Sequence, residues 1–316
     1  MGGKTISKPL FVLSADFELL WPCNNQTTRK AIYLIAHQNR IWQEIYALLH
    51  ILERYDIPST QAIAGHLCLD RCETHDSVLH PHMSRLEGSS HWRDPCINIK
   101  RHPLFYKKDI VQRIVANPVE NERGYHMFSY MPFSECDRAV TEEEIVEGLK
   151  IASEYSFTLR SFVFARNRVR NVDVLKAHHY EIYKGPNRER KHIDKTLLQR
   201  TQLYFFTHLV PPPVQAIWRE DIWGLLSSMK FYCVYGAPFS SALPFRDKKS
   251  VVQAKKESKI FHISINLGDL VASRGLLDKF EQMLAFFSKK EITAKLRRSL
   301  RDGLPRLSVK QDNAKF

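Results

Sequence analysis

The spacing of apolar residues changes period several times along the chain, and the changes predict its elements. The first run, Pro9-Leu10-Phe11-Val12-Leu13-Ser14-Ala15, is short and apolar on both alternating sides, the pattern of a buried strand. It leads into Asp16-Phe17-Glu18-Leu19-Leu20-Trp21. Two carboxylates two residues apart project to the same side of an extended chain, so Asp16 and Glu18 can converge just past the strand. Polar residues Asn24 to Thr28 then precede a helix to about Tyr55, with Ile41, Ile45, Leu48 and Leu52 as its core stripe. Asp56-Ile57-Pro58 stops it, and Thr60-Gln61-Ala62-Ile63-Ala64-Gly65-His66 reads as a second strand. Strand, helix, strand is the opening of an α/β fold, whose ligands bind at the carboxyl ends of strands.

The alternation continues after an interruption. Residues 67–105 hold five histidines with Cys72 and Cys96, show little periodicity and match no metal-ligand spacing, and so read as a long surface insertion. A helix is predicted at 106–116, and Thr141-Glu142-Glu143-Glu144 has the form of a capping box opening another, with Ile145, Leu149 and Ala152 on one face. Ser161 to Ala165 predicts a strand, Val172 to His178 a short helix, Tyr180 to Tyr183 a strand. A basic loop, Gly185 to Lys191, precedes a helical pattern to about Leu209, and three prolines at 211–213 break the chain. Lys259 to Asn266 alternates cleanly and puts His262, Ser264 and Asn266 on one face. Leu276, Phe280, Met283, Leu284 and Phe287 mark a last amphipathic helix, and a basic tail starts near Lys289.

Composition adds bounds rather than chemistry. With 316 residues, 44% hydrophobic and 26% charged, the chain is an ordinary globular composition long enough for one large domain. A formal net charge of +13 favours acidic partners. The basic runs Arg166 to Arg170, Lys184 to Lys191 and Lys289 to Arg301 read as solvated faces, and without a nucleic-acid module a nucleic-acid partner is not expected. Six cysteines form no CxxC pair, which predicts free thiols in a reducing compartment. No run approaches about eighteen apolar residues, so no membrane span is expected, and the short polar start is no secretory signal; a cytoplasmic location follows.

The order of four motifs resembles the NodB-like polysaccharide deacetylases. They are Asp16-Phe17-Glu18-Leu19-Leu20-Trp21, Ile57-Pro58-Ser59-Thr60-Gln61-Ala62 with Gly65-His66, His126-Met127-Phe128-Ser129-Tyr130, and Phe162-Val163-Phe164-Ala165-Arg166-Asn167. The first is similar to the subgroup whose opening motif reads Asp-Phe-Glu-Leu-x-Trp. The resemblance implies a distorted, incomplete (β/α) barrel over residues 9–290, with a short N-terminal segment 1–8, the insertion near 67–105 and a basic tail 291–316. It also implies a hydrolase that removes acetyl groups from N-acetylated sugars, where a divalent metal, zinc, polarises the amide carbonyl and the attacking water. Asp16 and Glu18 then divide the parts of base and metal ligand, and His126 matches the first metal histidine. Arg166 matches the arginine that holds the catalytic carboxylate. Trp21, His66, Asn167 and Asn266 stand at substrate-binding positions.

The departures weigh equally. Tyr130 stands where the second metal histidine is expected, and a phenol with a pKa of about 10 is a poor zinc ligand. Asn266 stands where a late histidine is expected and has no titrating proton to give; His262, on the same strand face, is the candidate replacement. Two readings follow: a metal-dependent carbohydrate N-deacetylase with a reshaped site, or a catalytically impaired relative that binds carbohydrate or a partner, with no metal. The expected ligand in either is an N-acetylated sugar, anionic or neutral.

Overall fold

The computed structural model describes residues 10–23, 34–70, 103–119, 121–128, 130, 132–185, 213–231, 251–254, 256–257, 259–271 and 275–289. The expected helix start at Asn24–Thr28, most of the 67–105 insertion, the Gly185–Lys191 loop beyond Gly185 with the helix after it, and the basic tail from 291 fall outside these residues.

β1 (Leu10–Phe17) is the centre of the molecule. It pairs in parallel with β2 (Thr60–Ile63) on one side and β9 (Ile260–Asn266) on the other, so neither edge is exposed. β3 (Glu122–Tyr125), β4 (Ser161–Val163), β5 (Ile182–Lys184), β6 (Ile217–Arg219), β7 (Ile222–Leu225) and β8 (Met229–Phe231) complete one sheet in the order β6-β7-β5-β4-β3-β2-β1-β9-β8. Every pairing is parallel except β6 with β7. The sheet curls on itself: Val214, just before β6, exchanges two backbone hydrogen bonds with Ile260 of β9, at 2.7 and 2.8 Å. The result is a distorted, incomplete barrel, as the sequence predicts.

The alternation along β1 explains both layers. Phe11, Leu13, Ala15 and Phe17 join the main core under the helices. Phe11 meets Phe287 edge-on at 4.9 Å between ring centres, on the amphipathic helix predicted from Leu276. Val12, Ser14 and Asp16 face the barrel interior, where Val12 joins a small apolar cluster with Val214, Leu225 and Ile260. In chain order the helices are α1 (Gln38–Arg54), α2 (Lys108–Val115), α3 (Arg138–Glu154), α4 (Val172–Ala177), α5 (Leu267–Val271) and α6 (Leu276–Lys289). The stripe Ile41, Ile45, Leu48 and Leu52 on α1 is buried as predicted. No described helix is long and apolar enough to cross a membrane. Cys68 and Cys136 are buried free thiols.

Three expectations need correction. The capping box at Thr141 is not the start of α3: Asp137 caps the helix by accepting from the Val140 N–H at 2.8 Å. Thr141 lies within the helix, its hydroxyl donating to the Asp137 carbonyl at 2.9 Å. The strand predicted at Tyr180 to Tyr183 is shifted, so that Lys184 belongs to β5 rather than to a basic solvated run. The β6–β7 hairpin was not anticipated. Its two-residue loop, Glu220-Asp221, has positive φ at both positions (51° and 57°), as a type I′ turn requires, without the glycine or asparagine that usually announces one.

Gly148 of α3 is where the helix lies on Tyr125 of β3. A Cβ there would fall inside the Tyr125 ring, which is buried and anchored by its hydroxyl donating to the Glu144 carbonyl at 2.8 Å. Gly148→Ala should therefore cost about 1–3 kcal/mol from overpacking, read as a lower urea midpoint at an unchanged slope. A variant as stable as wild type would show that α3 can lift from the sheet at no cost.

Candidate active site

The carboxyl ends of β1, β3, β5 and β9 bring six polar side chains together. Asp16 sits opposite Asn266 in the β1–β9 register. Just past β1, Leu19 at φ 45° turns the chain and brings Glu18 alongside. Asn266 donates its side-chain amide to Glu18 Oε1. His126 follows β3, its backbone N–H bonded to the Ile63 carbonyl at 2.9 Å, and its Nε2 donates to Glu18 Oε2 at 2.8 Å. The Tyr130 ring lies 5.1 Å from the His126 ring, centre to centre, and its hydroxyl donates to Glu18 and accepts the Arg166 backbone N–H. Met127, Tyr130, Arg166 and Asn167 all have left-handed backbone (φ 54–62°), a concentration of local strain typical of functional loops.

The sixth residue opens the basic run Lys184 to Lys191, which its composition predicts to be solvated. Lys184, the last residue of β5, is 7% exposed. Its Nζ donates to Asp16 Oδ2 at 2.6 Å and to Ser264 Oγ at 2.6 Å. The available signal was its position at the end of a strand, two residues beyond Ile182 on the inner face.

The remaining candidates divide. His262 lies deeper on the inner face of β9; its Nδ1 donates to the Leu226 carbonyl at 3.0 Å and its Nε2 accepts from the Ser14 hydroxyl at 2.9 Å. Burial, then the nearby Lys184 charge, pushes its pKa down to about 4, against the smaller opposing effects of the Leu226 carbonyl and Asp16. Trp21 and His66 are fully buried and stacked on each other at 4.3 Å. Their polar atoms are directed at the Phe105 carbonyl (3.0 Å) and the Phe128 carbonyl (2.6 Å). They offer packing beneath the mouth and no surface to a sugar, which corrects the substrate-binding expectation for both. Arg166 is exposed and Asn167 half-buried at the rim, and what Arg166 brings to the cluster is its backbone N–H.

This arrangement does not fit a divalent metal. Asp16 faces an ammonium, the Nε2 of His126 is directed at Glu18, and Glu18 receives Asn266, His126 and Tyr130 as donors. Burial and the Glu18 and Asp16 charges hold the Tyr130 hydroxyl well above the usual phenol range, so it stays a neutral donor rather than a ligand. Among the described residues no three His, Cys, Asp or Glu side chains are placed to hold an ion.

No family model and no curated protein sequence matches the chain. Solved structures do. A protein from Mycobacterium smegmatis assigned as a polysaccharide deacetylase superposes with a TM-score of 0.57 at 10% identity, over 93% of this chain and 92% of that one. PuuE allantoinase superposes with a TM-score of 0.58 at 10% identity, over 96% and 95%. The fold is that of the polysaccharide deacetylases. At such identity the likeness extends to the barrel and leaves the chemistry of the mouth to be argued from its own residues.

His262 gives a pH dependence. Its folded-state pKa lies below its ordinary value of about 6.5, so the unfolded chain binds the proton more readily between the two values. Stability from this group is complete above about pH 6.5 and falls as pH drops towards 4, by about 2 kcal/mol at pH 5. Denaturant unfolding of wild type and His262→Gln at pH 7.5 and 5 should show the wild type losing this increment and the variant not. Parallel losses in both would assign the acid sensitivity to other groups.

Proposed function

We propose that this chain is a deacetylase-fold protein that binds N-acetylated carbohydrate at the mouth of its barrel, with metal-dependent deacetylation impaired. What supports the reading is the state of the two carboxylates. In a deacetylase one of them must take a proton from water and another must face the metal. Here Asp16 is directed at Lys184, and Glu18 collects three donors, two from the segment after β3 and one from β9. Such a cluster is rigid and polar, suited to fixing the shape of a cleft rather than to moving a proton. The strand-end position and the left-handed backbone around it keep the place where this fold presents a ligand. Arg166 at the rim suits a sugar bearing a carboxylate or a phosphate.

Hydrolysis is the second reading, and the Glu18–His126 pair favours it. The Nδ1 of His126 is buried and meets no hydrogen-bond partner among the described residues, so the ring has a lone pair to offer. Calorimetry with N-acetylglucosamine oligomers and acidic N-acetylated glycans, run beside an acetate-release assay with added zinc, separates the two. We expect saturable binding without acetate release, and about tenfold weaker binding of an acidic glycan by Arg166→Ala. Zinc-stimulated acetate release would establish the enzyme instead, and absence of binding to every N-acetylated glycan would end the carbohydrate reading.

A further inference from the structure

We infer that the Lys184 ammonium is the resident cation of this mouth, supplying at Asp16 positive charge that the resembling fold takes from a divalent ion, so that the chain neither holds nor requires a metal. The inference concerns the same mouth as the carbohydrate reading but stands on the Lys184 contacts alone, and its test uses no glycan.

Three observations carry it. The Nζ approaches Asp16 Oδ2 at 2.6 Å, and Asp16 is the residue that the motif order assigns as base or metal ligand. The ammonium is held from a second side by Ser264 Oγ at 2.6 Å, so its position is built rather than incidental. Both charged groups are nearly out of water: Lys184 and Asp16 are each 7% exposed. A buried carboxylate needs a compensating cation, and a strand-borne amine supplies it permanently, without an affinity to satisfy. An incoming dication would have to displace or repel that ammonium at the same carboxylate, which disfavours binding by like-charge repulsion in a medium that screens poorly.

The reciprocal also follows. Remove the amine and Asp16 becomes a buried charge without its counter-ion, beside Glu18 and His126. That is the situation in which a metal stabilises the folded state by binding it alone. Lys184→Ala removes the charge and leaves room for an ion. Asp16→Asn combined with Lys184→Met removes both charges while keeping the volume.

Metal content by mass spectrometry and melting temperature with zinc or chelator decide it. Wild type, purified with zinc present, should carry substoichiometric metal and melt at one temperature under all conditions. Lys184→Ala should melt roughly 5–15 °C lower in chelator and recover several degrees in excess zinc. The double variant should regain most of the loss and ignore zinc. If Lys184→Ala fails to fold without metal, refolding it with zinc present gives the same information: folding only with zinc supports the inference. Stoichiometric zinc in wild type would overturn it. So would a Lys184→Ala protein that folds but ignores zinc, or one that zinc cannot rescue.

Discussion

The contact between Lys184 and Asp16 is possible only because the sheet curls. β5 and β1 are four places apart in the strand order, and β5 and β9 are five. In a flat sheet with strands about 4.8 Å apart those separations would be roughly 19 and 24 Å, far beyond what one lysine can bridge to an aspartate or a serine. Yet Lys184 Nζ is 2.6 Å from both Asp16 Oδ2 and Ser264 Oγ. The bond crosses the interior, and the barrel's curvature and its central charge pair imply each other. Opening the curl would separate the pair, and breaking one partner of such a buried pair costs about 3–5 kcal/mol. The Val214–Ile260 bridge reinforces the same closure through the backbone.

β1 can carry this arrangement because its two sides solve different problems. The outer residues Phe11, Leu13, Ala15 and Phe17 are ordinary core, and their burial supplies the driving force for docking the helices. The inner residues Ser14 and Asp16 are polar at positions where an apolar side chain would be simpler to bury. They pair across the barrel with His262 and Lys184. Ser14, His262 and the Leu226 carbonyl form one chain of donors and acceptors, tying β1 to β9 and to the turn after β7. A satisfied interior network of this kind adds little net stability and a great deal of specificity, since a shift of one residue in register would strand every member.

What the sequence disclosed follows from the range over which each signal acts. The barrel was legible because strand and helix periods are local, and Asp16, Glu18, His126 and Tyr130 were named together because the resemblance in motif order joins them. Lys184 was not. It begins a run of basic residues, and composition alone makes it look solvated; only its pairing with Val163 and Leu225 shows it as an inner strand position. Trp21 and His66 misled in the opposite direction. Their motif positions suggest a ligand, but aromatic stacking and two backbone carbonyls account for them. The cap of α3 was missed because Asp137 precedes a stretch that itself reads as a capping box, and only the helix dihedrals decide between the two.

Under the proposed reading, the two departures at Tyr130 and Asn266 form one coordinated change with Lys184 rather than two losses. A metal site needs lone pairs: imidazoles and carboxylates directed inward at a cation. Without the dication, two buried carboxylates need donors and a positive charge. Tyr130 replaces an expected lone-pair ligand with a hydroxyl that donates to Glu18, and Asn266 replaces another expected histidine with an amide that donates to the same carboxylate. Lys184 supplies the charge at Asp16. Each substitution turns an acceptor or a vacant role into a donor aimed at a carboxylate. Without these donors Asp16 and Glu18 would be buried against groups that cannot pair with them, and burial of either would then destabilise the barrel by several times the worth of one hydrogen bond. Three donors at Glu18 and an ammonium at Asp16 are what two buried carboxylates require in a site that folds and holds its shape without a metal.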